Sequence, residues 1–298
     1  MSAIVRLLSH AGWLFAVAGL ATCAVYGMLV GAPGAPDDLP SLGAWVGALF
    51  VGDLGFSSRY RTGAPVFELV LSAASESAAV VVLALVCALL GAAVLAWLWS
   101  SDRRPTTGAV ARPLVYVLSA SPAFLLAYWT VLFINGSTAA GMDAGWWTRP
   151  AWFPVPLSVG ALRYLLAAVV LAVGSGVLME AARGLSAELD RMLGADFILF
   201  ARASGRPLWR HVAPNLVGPV ATLAVNRLIA IFGGSVVVEV IFNVPGLGRL
   251  TWDAALLRDA PVLLGTTAVW AVLYATARLL AEISSVLADP RLRRGSER

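Results

Sequence analysis

The chain has 298 residues, of which 59% are hydrophobic and only 13% are charged, and its formal net charge is +4. A water-soluble domain of this size needs more polar cover on its surface, so the composition excludes that class and predicts an integral membrane protein. All 21 basic residues are Arg. Because a phosphate-binding P-loop requires a Lys, the absence of Lys excludes an ATP site of that kind in this chain.

Six apolar segments are each long enough to cross the hydrocarbon of a bilayer as a helix of about 20 residues. They cover residues 12–32, 77–99, 114–135, 157–179, 217–242 and 262–287. The first segment is too long for the core of a signal peptide and has no cleavage site of small residues, so we expect it to be retained. The pattern predicts one all-α membrane domain over residues 1–298, with about six transmembrane helices.

The arginines are distributed unevenly between the segments that connect these helices. Thirteen lie on the side of the N-terminus, and five lie on the opposite side. Because positively charged connections stay on the cytoplasmic side, both termini are predicted to be cytoplasmic. The same bias accounts for the net charge without a nucleic-acid partner.

Cysteine and histidine give no sign of a disulfide or a metal site. Cys23 and Cys87 both fall in apolar segments, where a small hydrophobic residue is the simpler interpretation. His10 and His211 are too few and too far apart to suggest a metal site by spacing. We therefore expect no metal cofactor in this chain.

The connection between the fourth and fifth segments, residues 182–214, is basic and amphipathic. Its apolar residues lie near helical spacing, at Leu193, Phe197, Phe200 and Ala201. Gly205 and Pro207 follow and are residues that stop a helix, so we predict a short helix, a break and a second helix. Periodicity equally allows a helix that lies on the lipid surface, so the pattern alone leaves the role of this segment open.

Within this connection, the stretch Asp196-Phe-Ile-Leu-Phe-Ala-Arg-Ala-Ser-Gly205 resembles the D-Y-x-x-x-A-R-A-K-G motif of a known family. The family is that of the inner-membrane permeases of ABC importers, in the dipeptide, oligopeptide and nickel branch and of its first-permease type. Six further matches follow the family's order along the chain. They are Gly52-Asp-Leu-Gly55 with Pro65-Val-Phe-Glu-Leu69, Ser121-Pro-Ala-Phe124, Gly233-Gly-Ser-Val-Val-Val-Glu239, Phe242-Asn-Val-Pro-Gly-Leu-Gly-Arg249, Asp259-Ala-Pro-Val262 and Leu287-Ala-Asp-Pro-Arg-Leu-Arg-Arg-Gly295.

The resemblance implies the type I ABC importer permease fold in a bacterial inner membrane. It implies a coupling helix that docks into a groove of a separate ATPase subunit and moves the fourth and fifth spans together. The residues that match this element are Asp196, Phe197, Phe200, Ala201, Arg202, Gly205 and Arg206. The chain would form the path for peptides or peptide-like solutes and would not itself be an enzyme.

The resemblance also implies the partners. They are a second permease, expected to be a different chain, two ATP-binding subunits and an extracytoplasmic substrate-binding protein. ATP and Mg would be bound by the partner subunits, and no cofactor by this chain. The solute cannot be read from the sequence, so dipeptides, oligopeptides and nickel chelates all stay open.

The chain departs from the family's pattern at three places. Residues 25–36 keep only a trace of the L-P-G-D-P motif, and the outer loop that follows is short, which bears on how a binding protein docks. The spacing from Gly205 to Asn215 is about one helical turn shorter than in the family, so we expect a trimmed second half of the coupling element. The family's Lys before the glycine is Ser204 in this chain.

Four ionisable residues lie within the last two predicted spans, namely Arg227, Glu239, Arg278 and Glu282. An isolated charge near the bilayer centre costs at least about 2.5 to 3.5 kcal/mol, so these residues should face protein or water, and the translocation path is one such place. Arg278 and Glu282 are one turn apart and can pair with each other. Arg227 has no acid one turn away, so it could meet an anionic group of the solute or bridge to the companion permease.

Two other classes of membrane protein are less consistent with the sequence. A secondary transporter would use inverted repeats and an ion site at the midplane, and no internal repeat is visible. An intramembrane enzyme would need a nucleophile with a base, or metal ligands, and no His lies in a predicted span to serve.

Overall fold

The computed structural model describes residues 3–31, 41–100, 105–143 and 161–288. Eleven α-helices make up most of this part of the chain: α1 (Ala3–Val30), α2 (Leu42–Val51), α3 (Val66–Ser100), α4 (Pro105–Ala120), α5 (Ala123–Asp143), α6 (Ala161–Gly174), α7 (Val177–Leu193), α8 (Asp196–Ala203), α9 (Trp209–Ile241), α10 (Leu247–Leu257) and α11 (Ala260–Ala288). Several features of the sequence interpretation lie outside the described residues. They are residues 32–36, Arg103 and Arg104, the tryptophans at 146, 147 and 152, and the C-terminal motif beyond residue 288.

Four single helices are long and apolar enough to cross a membrane, and the number rises to six if each of two bent helix pairs forms one span. The single helices are α3, α9, most of α1 and most of α11. The bent pairs are α4 with α5 and α6 with α7. The predicted all-α membrane architecture is therefore confirmed.

The predicted third and fourth spans are each broken rather than continuous. The axes of α4 and α5 differ by 103° across the break at Ser121–Pro122, because the residue before a proline is disfavoured in a helix. The axes of α6 and α7 differ by 60° across Ser175–Gly176, where Gly176 has a φ of +73°. The two breaks lie against each other, since a Cβ at Gly174 would be 2.7 Å from the Cα of Ala123.

Small residues line the face of α3 that packs on α6 and α7. Ala84, Ala88, Ala92 and Ala96 recur every fourth residue and are all buried. Side chains of this size let helix backbones approach closely, which is how apolar helices gain contact where water supplies no driving force. The stripe makes α3 a central helix of the bundle.

The bundle has two ends, which we name by their contents. The coupling end carries α8, and the loop end carries α2, the turn at 52–65, the segment 242–246 and α10. At the loop end, the buried Trp45 of α2 stacks on Tyr26 of α1, with 6.3 Å between the ring centroids, and packs with residues of α11. The short helix α2 is thereby held against both the first and the last described helix.

Asp259 ties the 52–65 turn to the start of α11. Its buried carboxylate accepts hydrogen bonds from the Ser57 hydroxyl at 2.6 Å and from the amides of Tyr60 and Arg59 at 2.8 and 2.9 Å. Burial disfavours the charged form, but these hydrogen bonds outweigh it, so the pKa of Asp259 lies below its ordinary value. The turn that follows the family-like segment 52–55 is therefore joined to the segment 259–262 through one carboxylate.

Asp259→Asn should destabilise the loop end by about 2 kcal/mol, because the charge-assisted hydrogen bonds are lost. Since the pKa of Asp259 is lower in the folded chain, its carboxylate stabilises the fold fully above the ordinary pKa of 3.8. This stabilisation is lost as the pH falls below that value. We expect the Tm of the detergent-solubilised parent chain to converge on that of the variant as the pH falls below about 4. A constant difference in Tm over that pH range would contradict the role of the charge.

Candidate functional site

The segment that joins α7 to α9 forms an eight-residue helix, α8, at the coupling end. Ile198 and Ala201 are buried against the chain's own helices. Phe197, Leu199 and Phe200 point away from the chain and are 45%, 52% and 67% exposed. We call these three side chains the coupling surface.

Two predictions about this segment need correction. The connection is shorter than the predicted 182–214, because α7 continues to Leu193 and α9 already begins at Trp209. The second helix after the break is therefore the fifth span itself. Ala201, predicted to anchor in a partner's groove, is only 1% exposed and packs inward with Ile198, so it does not lie on the coupling surface.

Gly205 ends α8 with a defined turn, as its position in the sequence predicts. Its φ is +66°, a backbone conformation that most residues other than glycine adopt only with strain. The amide of Arg206 donates to the carbonyl of Ala201 at 3.0 Å, and the amide of Gly205 donates to that of Arg202 at 3.1 Å. This pair of hydrogen bonds is a Schellman motif, which fixes the direction in which the chain leaves the helix.

Polar and aromatic residues surround the coupling surface. Asp196 lies in the first turn of α8, where a carboxylate interacts favourably with the helix dipole. Arg202 and Arg206 are exposed at the opposite end of α8. Trp209, which the sequence interpretation did not single out, is exposed at the start of α9, and the Arg210 guanidinium lies 5.5 Å from the centre of its ring.

Arg227 forms an ion pair with Glu180 of α7. The acid lies on a neighbouring helix rather than one turn away, so the spacing along α9 does not reveal it, and neither predicted role of Arg227 includes it. The signal for it was present in the sequence as an acid directly after the predicted fourth span. Both side chains are partly exposed, so the pair lies at the edge of the described bundle.

Glu239 is fully buried and holds the start of α10. Its carboxylate accepts a hydrogen bond from the amide of Gly248 at 2.8 Å, and the nearby Ser77 hydroxyl accepts one from the amide of Leu247 at 2.8 Å. Amides at the start of a helix lack partners within the helix, and a carboxylate satisfies them well. The predicted path residue Glu239 is thus enclosed by its own chain and stabilises the loop end.

Arg278 and Glu282 form the predicted pair along α11, with 3.9 Å between the closest nitrogen and oxygen. Arg278 is the more exposed of the two side chains. The pairing is confirmed, and a role of these residues in the translocation path stays a prediction.

A second polar cluster joins α3, α6 and the segment after α9. The Tyr164 hydroxyl donates to Glu76 at 2.6 Å, and the Arg163 guanidinium donates to the carbonyl of Asn243 at 3.1 Å. The sequence interpretation missed this cluster, although Arg163 and Glu76 interrupt or border apolar runs. Within the described ranges, no group of three His, Cys, Asp or Glu residues could hold a metal ion.

Comparison with known proteins gives consistent matches. A family model described as "Binding-protein-dependent transport system inner membrane component" matches residues 88–294. The metal-staphylopine import system permease protein CntB of Staphylococcus aureus (strain Mu50) is 27% identical over 245 residues, which cover 81% of this chain and 74% of that protein. The oligopeptide transport system permease protein AppB of Bacillus subtilis (strain 168) is 42% identical over 105 residues, which cover 34% of this chain and 33% of AppB. The putative peptide permease protein BOV_A0351 of Brucella ovis is 28% identical over 256 residues, or 84% of this chain and 78% of that protein.

Proposed function

Because the chain belongs to the family of inner membrane components of binding-protein-dependent transport systems, we propose that the coupling surface of α8 transmits ATP hydrolysis in another subunit to the spans. The chain is a transmembrane permease subunit of an ATP-driven importer for peptide-like solutes. In this family the ATPase activity belongs to separate subunits. The proposal concerns the surface on which such a subunit acts.

One observation carries the proposal, which is the division of α8 into a buried and an exposed apolar face. Ile198 and Ala201 attach the helix to its own chain, and Phe197 and Phe200 extend outward at a spacing of one turn. Exposed aromatic side chains beside arginines are typical of the buried centre of a protein interface. The Schellman motif at Gly205 supports the same role, because a helix that transmits movement to the spans must keep a fixed orientation relative to them.

The orientation follows from this role. The ATPase acts from the cytoplasm, so we infer that the coupling end faces the cytoplasm and the loop end faces outward. The excess of arginine in the connections on the side of the N-terminus supports that orientation, and both termini would then be cytoplasmic. A binding protein would dock at the loop end.

The importer would contain a second permease, two ATP-binding subunits and an extracytoplasmic binding protein. The matched relatives are named for oligopeptides, peptides and a metal-staphylopine complex, so we propose a solute of that peptide-like class. Arg278 and Glu282 would line the translocation path, because Arg278 is exposed on a helix that crosses the membrane.

Phe200→Ser tests the coupling surface. Burial of a phenyl ring at an interface contributes roughly 1.5 to 3 kcal/mol to the free energy of binding. Loss of the ring should therefore reduce recovery of the ATPase subunits with the purified permease by about tenfold or more. Phe133→Ser on α5 is the matched control, since Phe133 is 76% exposed but far along the chain from α8. Unchanged recovery of the ATPase subunits with Phe200→Ser would mean that α8 lies on the lipid surface instead.

A further inference from the structure

We propose that Glu180 and Arg227 are a positioning pair that clamps α7 to α9, so that the two helices move as one body when α8 is displaced. The inference rests on the coupling role proposed for α8. Neither residue needs to contact the ATPase or the solute.

The two helices meet in a regular antiparallel register. Glu180 pairs with Arg227, and one turn further along α7 Gly184 lies against Leu223, one turn earlier on α9. A Cβ on Gly184 would be only 3.0 Å from a methyl carbon of Leu223. The glycine therefore permits the close approach that brings the two charged groups together.

The clamp matters because α6 and α7 are separate helices that meet at a bend of 60°. Gly176 directly precedes α7 with a φ of +73° and without a side-chain cap, so the helix is interrupted there. On the other side of the break, Leu171 of α6 packs on Gly234 of α9, where a Cβ would be 3.1 Å from Leu171. Thus α9 contacts the bent pair on both sides of its break, and the Glu180–Arg227 pair holds the side that leads into α8.

An ion pair adds a directional contact to the apolar packing between the two helices. An arginine and a carboxylate must keep their geometry to stay paired. Separating them would leave the partly buried guanidinium of Arg227 without its counter-charge at the edge of the bundle. The pair therefore resists a change in register between α7 and α9.

The distance from α8 separates this role from direct docking. Arg227 lies 18 residues after the start of α9, which corresponds to about 27 Å of helix. Glu180 lies 13 residues before the end of α7, or about 20 Å. Any effect of these residues on coupling must be transmitted through the helices.

The test uses the complete importer in proteoliposomes and a readout that needs no identified solute. Cys23 and Cys87 are replaced by serine, and a fluorophore on Thr62→Cys reports movement of the loop end when ATP is added. Glu180→Gln and Arg227→Met should each reduce the ATP-driven fluorescence change by about tenfold while ATP hydrolysis continues. The exchanged variant, Glu180→Arg with Arg227→Glu, should recover at least half of the change.

Glu188→Gln with Arg191→Met is the matched control, because this ion pair lies within α7 alone and joins no second helix. A parent-like response of both single variants, or failure of the exchanged variant to recover, would overturn the clamp. If the single variants do not assemble, Glu180→Asp decides the question: a reduced response supports the clamp, and a parent-like response refutes it. Loss of ATPase recovery in Phe200→Ser together with a parent-like response here would refute the clamp alone and leave the coupling surface intact.

Discussion

A glutamate in place of Gly205 is expected to abolish solute uptake while the chain still inserts into the membrane. Gly205 has a φ of +66°, and a side chain in this conformation costs about 1 to 2 kcal/mol. The strain weakens the Schellman motif and changes the direction in which α8 ends. The new carboxylate also stands beside the surface on which the ATPase subunit is proposed to dock.

Space around Gly205 makes this experiment specific. A Cβ there would meet no atom within 4 Å, so the substitution creates no clash inside the chain. Gly205→Asn is the matched control, because Asn tolerates the left-handed conformation and adds no charge. Uptake of a labelled mixture of short peptides and nickel complexes is measured together with the amount of chain in the membrane. Parent-like uptake by Gly205→Glu would contradict the coupling role of this turn.

Gly248→Val is expected to prevent stable folding of the loop end. A Cβ at Gly248 would meet the backbone of Val236, with the carbonyl oxygen 2.9 Å away, and would lie 3.0 Å from the carboxylate of Glu239. Backbone atoms cannot move aside as a flexible side chain can, so the cost should exceed about 3 kcal/mol. The substitution also displaces the Gly248 amide, which donates a hydrogen bond to the Glu239 carboxylate.

Thermal unfolding of the detergent-solubilised chain measures this effect. Gly233→Val is the matched control, because it lies in α9 and a Cβ there meets no atom within 4 Å. We expect Gly248→Val to yield little folded chain and Gly233→Val to unfold near the parent Tm. Equal Tm values for the two variants would contradict the tight packing of α10 against α9.

Local signals in the sequence predicted the six spans, the short helix α8 and the turn after it, whereas the short helices α2 and α10 were not predicted. Apolar runs of sufficient length predict spans wherever they occur, and Gly205 followed by Pro207 predicts the end of a helix. The break at Ser175–Gly176 was not predicted, because glycine and serine are both compatible with an apolar helix. Its bend depends on packing against the α4–α5 break, which no local pattern reveals.

The contacts of individual site residues were harder to predict. Ala201 follows the same apolar spacing as Phe197 and Phe200, and a helix with apolar residues on two faces does not reveal which face is buried. The spacing along α9 does not reveal the partner of Arg227, because Glu180 reaches it from α7, where Gly184 allows the two helices to approach. Depth in the membrane predicts that Glu239 lies on the translocation path, but the contacts of its carboxylate depend on where α10 begins.

The Asp259 contact limits when the loop end can fold during synthesis of the chain. The amides of residues 59 and 60 and the Ser57 hydroxyl find their acceptor 199 to 202 positions later in the chain. During synthesis from the N-terminus, these donors therefore lack their acceptor until nearly the whole chain has emerged. The loop end closes last, and a chain truncated before Asp259 would leave the turn at 52–65 without this acceptor.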